Sequence, residues 1–487
     1  MNDAATDMDV LIVGAGPVGL FLANECARHG LRCRLVEARS RQSEHSKALA
    51  IFPRTLEIFD MAGIVAPFLE VANRVTSVAV VAQQRSIARL RFEPEGTPYA
   101  FVGMVPQDVT EKILVEELRQ KGGTVDYDTT FVSAVEHDGH VSATLDRNGK
   151  RFEVTALFVV GCDGAHSAVR RLLNLPFEGA QYQASFMLAD VNTNEALPGD
   201  EMHLCPSQFG PLAIFPMSGT RRRIVATVDR AEGDVPSLEF VRRVVAQRAP
   251  AGFEVLSLRW SSYFRIHHRY VMRLRVGRIF IAGDAAHIHS PFGGQGMNTG
   301  LQDVWNLAWK LHLAVRGRGN ERLLESYTAE RHPVIKGVIK TTHRLTRAMG
   351  TGSKLAQVVR DAVIPVVSRL SIFQRRFVQN LSELAISYAG SPIIEGTGNR
   401  YWDDSLRAGK GIGSRFLLLL GDDADPSSKE ATSQFCGAST DLVELRCVRQ
   451  SGLMLLRPDG YVAYTSAVGD SGESLKSIRS LLERQTI

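Results

Sequence analysis

The feature that most constrains the fold is a short apolar segment, residues 10–13, that runs directly into Gly14-Ala15-Gly16-Pro17-Val18-Gly19. A helical pattern follows and stops at Gly30, and residues 32–37 then have the character of a second strand. A strand, a tight glycine turn, a helix and another strand within about 30 residues predict a parallel βαβ unit.

The three glycines of this turn have different physical roles. Gly14 permits the tight turn, Gly16 lets a pyrophosphate approach the backbone, and Gly19 lets the helix pack closely on the strand. The start of the helix offers unpaired N–H groups and a positive dipole to phosphates. Glu37 ends the second strand, where a carboxylate can accept hydrogen bonds from a ribose. The motif predicts a bound dinucleotide but does not choose between NAD and FAD.

A second glycine-bearing stretch, residues 161–164, follows another apolar strand and reads Gly-Cys-Asp-Gly. Its carboxylate, Asp163, precedes a short helix that carries Ser167 and Arg170. Two interpretations are open at this point. Asp163 either faces a ligand, or it caps the helix and pairs with Arg170.

A third stretch, residues 283–296, selects the cofactor. Gly283-Asp284 ends a strand with an acid that can bind the hydroxyl groups of a ribityl chain, and a glycine-rich turn then starts a helix near Gly296. The free N–H groups of that helix start can stabilise negative charge at one edge of a flavin ring. The three stretches together predict a single site for FAD.

Composition and charge exclude several other classes of protein. The net charge of +5 comes without a basic patch interleaved with aromatic residues, so we expect no nucleic-acid partner. No apolar run reaches the roughly 18 residues that a membrane span needs. The six cysteines form no C-x-x-C and no metal-ligand spacing, so we expect no metal. The N-terminus lacks the basic region of a signal peptide, and we expect a cytoplasmic protein.

A chain of 487 residues with 44% hydrophobic content has room for two or three domains. We predict an α/β protein with a Rossmann-like FAD-binding domain, an inserted β-sheet substrate domain and a small C-terminal domain. The expected boundaries are 1–180 for the first part of the FAD-binding domain, 181–275 for the substrate-binding β-sheet, 276–395 for the second part of the FAD-binding domain with long helices, and 396–487 for the C-terminal domain.

The motifs GxGxxG, DG and GD, with GDAAHxHxPxGGQGMNxGxxDxxNLxWKL and the SYxxERxP helix, resemble group A flavoprotein aromatic hydroxylases, which have the p-hydroxybenzoate hydroxylase fold. ELAISYAGSP and RPDGYVAY are similar to the subgroup of phenol and aromatic-polyketide hydroxylases, whose C-terminal domain is thioredoxin-like. That domain lacks C-x-x-C here, so we expect it to have a structural role rather than dithiol chemistry.

The resemblance implies an FAD-dependent NAD(P)H:O2 monooxygenase. It implies that the enzyme hydroxylates a small aromatic molecule, either phenolic or polyketide-like. The hydroxylating species would be a flavin C4a-hydroperoxide. NADH and NADPH both remain possible as the co-substrate. Baeyer–Villiger oxidation, epoxidation and dehydrogenation stay open on the same scaffold, as does a binding protein without redox chemistry. A homodimer is compatible with the sequence.

The resemblance also assigns cofactor-binding residues by position in the motifs. These are Gly14, Gly16, Pro17, Val18, Gly19 and Glu37 for the ADP half, Lys47, Gln107 and Asp163 for the phosphate, ribityl and NAD(P)H region, and Gly283, Asp284, Pro291, Gly294, Gly296, Met297 and Asn298 for the ribityl chain and isoalloxazine. The family usually has arginine where this chain has Lys47, which keeps the charge but loses the bidentate fork.

The substrate side is less constrained. Candidate bases for a phenolic substrate are Tyr182, Tyr263, His267 and His268, each of which can equally be structural. Candidate ring contacts are Phe209, Leu212, Ile214, Phe215 and Pro291. For His287 and His289, in the predicted flavin loop, we expect hydrogen bonds that stabilise the loop.

Overall fold

The structure is a computed structural model that describes residues 6–43, 46–289, 293–349, 363–368, 370–410, 413–449, 451–466 and 471–486. The first part of the chain forms, in order, β1 (Met8–Val13), α1 (Pro17–Arg28), β2 (Cys33–Val36), β3 (Ala50–Ile51), α2 (Pro53–Met61), α3 (Val65–Val71), β4 (Asn73–Val75), β5 (Ser77–Ala82), β6 (Arg85–Arg91), β7 (Val102–Met104), α4 (Gln107–Gln120), β8 (Val125–Asp126), β9 (Thr129–Glu136), β10 (Val141–Arg147), β11 (Lys150–Gly161) and α5 (Ala168–Leu172).

The middle of the chain forms β12 (Glu178–Thr193), β13 (Glu201–Cys205), β14 (Leu212–Pro216), β15 (Arg221–Val228), α6 (Leu238–Arg248), β16 (Val255–Tyr270), β17 (Arg275–Val276), β18 (Ile279–Ile281) and β19 (His287–Ile288). The remainder forms α7 (Gly296–Val315), α8 (Glu321–Met349), α9 (Ser371–Ser382), β20 (Phe416–Gly421), α10 (Pro426–Gly437), β21 (Val443–Val448), β22 (Leu453–Leu456), β23 (Val462–Ser466) and α11 (Ser471–Glu483). No helix of the residues described is both long enough and apolar enough to cross a membrane.

The first sheet has four parallel strands at its centre, in the order β18-β11-β1-β2, with β8 beyond β2. Every residue of β1 is buried, as expected for a central strand of a sheet that is covered on both faces. The carboxyl ends of these parallel strands lie at one edge of the sheet. The predicted Rossmann-like architecture is therefore confirmed, and its ligand-binding edge is defined.

Helix α1 packs on this sheet as the sequence pattern predicts. Pro17 occupies its first turn, and Leu20, Phe21 and Cys26 are among its fully buried residues. Gly30 follows with a φ of +68°, the left-handed conformation predicted for the residue after the helix.

The second sheet has eight strands in the order β19-β16-β12-β15-β14-β13-β5-β6. Its centre is the long antiparallel pair β12–β16, and α6 covers one face. Two of its strands, β5 and β6, come from residues 77–91, and β19 follows the GD motif. The second sheet is thus not confined to residues 181–275, because β5 and β6 extend it at one edge and β19 extends it at the other.

The C-terminal region forms a separate four-stranded sheet in the order β21-β20-β22-β23. Strand β20 is buried throughout, pairs parallel with β21 and pairs antiparallel with β22. The apolar run at residues 416–420 therefore forms the centre of this domain, and α10 and α11 supply residues to the same core.

The turn between β22 and β23 joins this domain to the rest of the protein. Arg457 contacts Glu330 of α8 and Asp459, both at 2.5 Å, and Lys310 of α7 contacts Glu330 at 2.8 Å. All four side chains are fully buried. Burial alone would raise the pKa of Glu330, but Arg457 and Lys310 outweigh it and hold the pKa below its usual range. The C-terminal domain is therefore tied to α7 and α8 by charged groups that no water screens.

We predict that Arg457→Met lowers the free energy of unfolding by about 3–5 kcal/mol, because it leaves Glu330 and Asp459 buried without their partner. Chemical denaturation measures the change. The matched control is Arg415→Met, which breaks a partly exposed pair with Glu444 and should cost at most about 1 kcal/mol. Equal effects of the two substitutions would contradict the importance of the buried network.

Candidate active site

The three glycine-bearing stretches lie side by side at the carboxyl edge of the first sheet. The Cys162 amide donates to the Val13 carbonyl at 2.8 Å, and the Ala282 amide donates to the Gly161 carbonyl at 3.0 Å. Strands β1, β11 and β18 are adjacent and parallel, so the turns that follow them must meet. Segments nearly 270 residues apart in sequence, from 14 to 283, therefore form one surface.

The first glycine turn leaves space where a phosphate can approach. Gly14 has a φ of +100°, and a Cβ there would lie 2.6 Å from the Cys162 carbonyl oxygen. A Cβ on Gly19 would lie 1.9 Å from the Gly14 carbonyl oxygen. Among the residues described, no heavy atom beyond its chain neighbours lies within 4 Å of the corresponding position at Gly16, and no side chain caps α1 there. The outer glycines thus serve packing, and Gly16 opens the helix start to an anion.

Glu37 pins the same turn from the next strand. Its carboxylate accepts hydrogen bonds from the Ala15 amide at 2.9 Å and from the Arg39 amide and guanidinium at 3.0 and 2.9 Å. Burial raises the pKa of Glu37, but the hydrogen bonds from Arg39 and Ala15 outweigh this and leave it lowered. The contribution of Arg39 was not predicted. The sequence did offer a signal for this contact, because Arg39 lies two positions after Glu37, the acid that follows the second strand.

Gln107 holds the segment that contains Lys47. The Gln107 backbone amide donates to Ser46 Oγ at 2.8 Å. The side-chain oxygen of Gln107, Oε1, accepts from the Ala48 backbone amide at 3.1 Å. The Arg223 guanidinium of β15 donates to the Lys47 carbonyl at 3.0 Å. The Lys47 side chain itself is exposed. Gln107 therefore positions the backbone of this segment and leaves the ammonium group of Lys47 accessible.

Of the two interpretations of Asp163, the structure supports helix capping. Asp163 Oδ2 accepts from the Ala168 and Val169 amides at 2.6 and 3.2 Å. Arg170 donates instead to the carbonyls of Ala165 and Ala285 at 2.7 and 2.8 Å, which links α5 to the GD turn. Asp163 Oδ1 is buried and has no hydrogen-bond partner within the part of the chain that is described. One oxygen of this carboxylate thus caps a helix, and the other remains able to accept a bond.

The GD turn presents an acid inside a cleft. Gly283 has a φ of +60°, and a Cβ on it would lie 3.0 Å from Val18 Cγ2, so the GD turn packs directly on α1. The Asp284 side chain is accessible although protein surrounds it. Burial raises its pKa, while the charges of His287 and Lys47 oppose that rise. An accessible carboxylate in such surroundings suits the hydroxyl groups of a ribityl chain.

Asp303 on α7 holds this turn in place. Its carboxylate accepts from the Gly283 amide at 3.1 Å, from His287 Nε2 at 2.8 Å and from Arg331 Nε at 2.8 Å. Burial would raise the pKa of Asp303, but Arg331 and His287 lower it. The loop-stabilising bond expected for His287 is thus present. The role of Asp303 was missed, although an acid within an otherwise apolar helix was a visible signal.

The start of α7 is uncapped. Its N-cap residue, Gln295, makes no side-chain cap, so the N–H groups that begin at Gly296 stay available. Asn298 Nδ2 donates to the Ala50 carbonyl at 2.9 Å, and its Oδ1 accepts from the Phe52 amide at 3.0 Å. Asn298 therefore fastens the helix to β3. Pro291 lies outside the described residues, and Met297 is buried.

A buried acid behind α7 was also missed. Glu383 follows α9 with a φ of +61° and lies 2.5 Å from Gln302 Nε2 on α7. Burial raises the pKa of Glu383 to about 8, so this side chain is neutral at pH 7. Its position could not be read from sequence, because α7 and the residue after α9 meet only in the folded chain.

The predicted ring contacts fall on different faces of the second sheet. Phe215 faces the same side as Phe186 and Phe264, a surface that continues to Phe52 beside the start of α7. Leu212 and Ile214 are fully buried on the opposite face against α6, so they cannot belong to the same pocket wall. Side chains alternate along a strand, and the prediction did not allow for this. Phe209 is 43% exposed in the preceding turn.

The candidate bases are similarly divided. The Tyr263 hydroxyl bonds to the Glu232 backbone, at 3.1 Å to the amide and 3.2 Å to the carbonyl, and its ring packs on Phe240 of α6. Tyr263 therefore fastens a loop on the side away from α7. The His268 ring lies 5.0 Å from that of His343, and burial lowers its pKa to about 4. The side chains of Tyr182 and His267 lie outside what the structure describes.

Comparison with known families identifies this arrangement. Residues 7–342 match the family model described as FAD binding domain. The chain is 36% identical to 6-methylpretetramide 4-monooxygenase of Streptomyces rimosus, over 82% of this chain and 73% of that protein. It is 32% identical to rifampicin monooxygenase of Streptomyces venezuelae, over 94% of this chain and 95% of that protein.

A solved structure is similar over almost the whole chain. The anhydrotetracycline hydroxylase OxyS from Streptomyces rimosus superposes with a TM-score of 0.80 at 28% identity, and the match covers 98% of this chain and 99% of that one. The similarity includes the second sheet and the C-terminal domain, which lie outside or beyond the glycine motifs.

We predict that Asp284→Ala weakens binding of FAD to the apoprotein by about 10- to 150-fold, the loss of one charge-assisted hydrogen-bonding group. Because the ionised carboxylate is the better acceptor, affinity should also fall on acidification in the unmodified protein but not in the variant. Quenching of flavin fluorescence measures both effects. Asp138→Asn, in an exposed hairpin turn, is the control. Full flavin retention by the Ala variant would contradict the assignment.

Proposed function

This chain belongs to the FAD binding domain family, and the relatives to which it is similar are monooxygenases. From that premise we propose that it hydroxylates a polycyclic, phenolic aromatic compound. It is an FAD-dependent monooxygenase that uses NAD(P)H and O2. The observation that carries the proposal is the meeting of three glycine turns at one sheet edge, together with an aromatic face of the second sheet that continues to Phe52 beside the start of α7. Bound FAD supplies the redox chemistry, in which NAD(P)H provides electrons and O2 is activated.

The protein contributes position and electrostatics to this reaction. We assign the pyrophosphate to the open space at Gly16 and the start of α1, and the ADP ribose to the region of Glu37. Asp284 would bind the ribityl hydroxyls, and the N–H groups at the start of α7, from Gly296, would stabilise negative charge on the isoalloxazine. The exposed Lys47 would supply positive charge near the phosphates.

The substrate lies, in this proposal, against the inner face of the second sheet. Phe186 and Phe264 stack at a centroid distance of 5.6 Å, and Phe215 and Trp260 belong to the same cluster. A flat aromatic face suits a flat aromatic ligand and excludes water from the reacting atoms. The relatives are named for 6-methylpretetramide, rifampicin and anhydrotetracycline, which supports a large substrate with fused rings.

Turnover tests the proposal directly. We expect purified holoenzyme to oxidise NAD(P)H faster when polycyclic phenols are added, and the product to gain one oxygen atom from 18O2 by mass spectrometry. Phe264→Ala should raise KM for the substrate while FAD stays bound, and Phe209→Ala, on the exposed turn, is its matched control. Ring expansion, epoxide formation or loss of two hydrogens would instead support the other oxidations that this scaffold allows. Absence of any stimulated oxidation would refute the hydroxylase proposal.

We further propose that the C-terminal domain is thioredoxin-like and structural. Its β–α–β unit with parallel strands, followed by an antiparallel hairpin and a helix, supports this. Its two cysteines, Cys436 and Cys447, are free thiols that lie on different elements. Free thiols throughout the described chain are also compatible with the cytoplasmic location that we propose, and cell fractionation would test that location.

A homodimer is the assembly that we propose. The support is an apolar surface next to and on α9, where Val366, Leu370, Ile372 and Phe373 are 41–69% exposed. Clusters of exposed apolar residues of this kind are typical of contact surfaces. Light scattering of the unmodified protein and of Ile372→Glu would test it, because a dimer through this surface should dissociate in the variant.

A further inference from the structure

His287 and Asp303 form a buried pair, and one imidazole nitrogen of His287 has no hydrogen-bond partner among the described residues. His287 Nε2 lies 2.8 Å from Asp303 Oδ2, and neither side chain is more than 1% exposed. A carboxylate can only accept, so the proton of this contact lies on Nε2. The other nitrogen, Nδ1, is buried and lacks a hydrogen-bond partner in the described portion of the protein. A buried polar atom in this condition calls for an explanation.

The position of this imidazole connects two parts of the proposed flavin site. His287 opens strand β19, three residues after Asp284 of the GD turn. On the other side, the His287 ring is nearly parallel to that of His289, with the centroids 6.4 Å apart. A Cβ on Gly296 would lie 3.7 Å from His289. His287 therefore lies between the turn assigned to the ribityl chain and the helix start assigned to the isoalloxazine.

The surroundings of His287 make it responsive to added charge. Asp303 on α7 is already neutralised by Arg331 on α8, so the pair leaves little net charge beside the imidazole. Glu383, behind α7, is neutral at pH 7 because burial raises its pKa to about 8. On the paired strand β16 the residue opposite His287 is Tyr270, followed by Arg269 opposite Ile288. Asp284 is a further nearby acid within the described part of this loop. Because His287 is buried, a new negative charge beside it has a large effect.

We propose that His287 takes up a proton at Nδ1 when negative charge builds up on the bound cofactor, so that reduction of FAD is coupled to protonation of this imidazole. The proton comes from solvent and forms an N–H bond at Nδ1, in addition to the electrons and hydrogen that the cofactor itself takes up on reduction, and Asp303 keeps the ring fixed through Nε2. His287 is thus a proton-holding residue that stabilises the reduced cofactor. The inference rests on the proposed FAD site.

The test compares His287→Gln with His29→Gln. His29 at the end of α1 is also buried, contacts Glu25 through Nε2 and has an Nδ1 without a hydrogen bond among the residues described, but it lies at the far end of the helix from Gly16. We expect His287→Gln to lower the affinity for reduced FAD relative to oxidised FAD on the order of tenfold. That ratio corresponds to a midpoint potential lower by about 30 mV for the two-electron couple. His29→Gln should leave the ratio unchanged.

A second measurement uses the unmodified holoenzyme and does not depend on the stability of any variant. Anaerobic photoreduction with a pH indicator counts the protons taken up, and we expect more uptake than for free FAD over part of the range from pH 6 to pH 9. A His287→Gln protein that binds oxidised FAD normally with an unaltered ratio would overturn the inference, as would proton uptake equal to that of free FAD. Neither result would affect the proposed function, which fails instead if the unmodified protein binds no FAD.

Discussion

The site depends on a single buried carboxylate. Asp303 receives donors from Gly283 of the GD turn, His287 of β19 and Arg331 of α8, which lie 20, 16 and 28 residues from it along the chain. An unpaired carboxylate at this depth would cost several kcal/mol, so the three segments must come together for the carboxylate to be tolerated. The same contact aligns the start of α7 with the turn that carries Asp284. The geometry of the proposed flavin site therefore follows from the need to pair the buried carboxylate of Asp303 with its donors.

Helix α7, which carries Asp303, also contacts other parts of the protein. Its first turn is fastened to β3 by Asn298. Further along, Trp305 contacts the C-terminal domain, and Lys310 pairs with Glu330, which also contacts Arg457 of that domain. The Trp305 indole donates to the Asp459 carbonyl at 3.0 Å. The C-terminal domain is thus attached to the helix whose N–H groups we propose to face the cofactor. This attachment gives a physical reason why a domain without C-x-x-C belongs to the architecture.

The substrate side shows where pattern reasoning is insufficient. Phe215 and Ile214 are neighbours in one strand and equally apolar, yet they face different cores. Period-two alternation predicts that they separate, but only the packing of α6 on one face decides which of them faces the flavin side. Of the two roles left open for Tyr263, the packing of its ring on the α6 side and its bonds to the Glu232 backbone favour the structural one.

The sequence by itself determined the βαβ unit, the cofactor and the family, because each glycine and acid of the three motifs follows a strand, and turns after parallel strands have few allowed geometries. The positions of Gly14, Gly19 and Gly283 in tight turns could be predicted without information on distant contacts. Tertiary structure alone decided the partners of buried charges. The bonds by which Asp163 caps α5 reach only five and six residues along the chain. In contrast, the donors that Asp303 collects and the contact of Glu330 with Arg457 come from elements that meet only in the folded chain. Local sequence carries no record of such contacts, because burial and its desolvation cost arise only when the chain has folded.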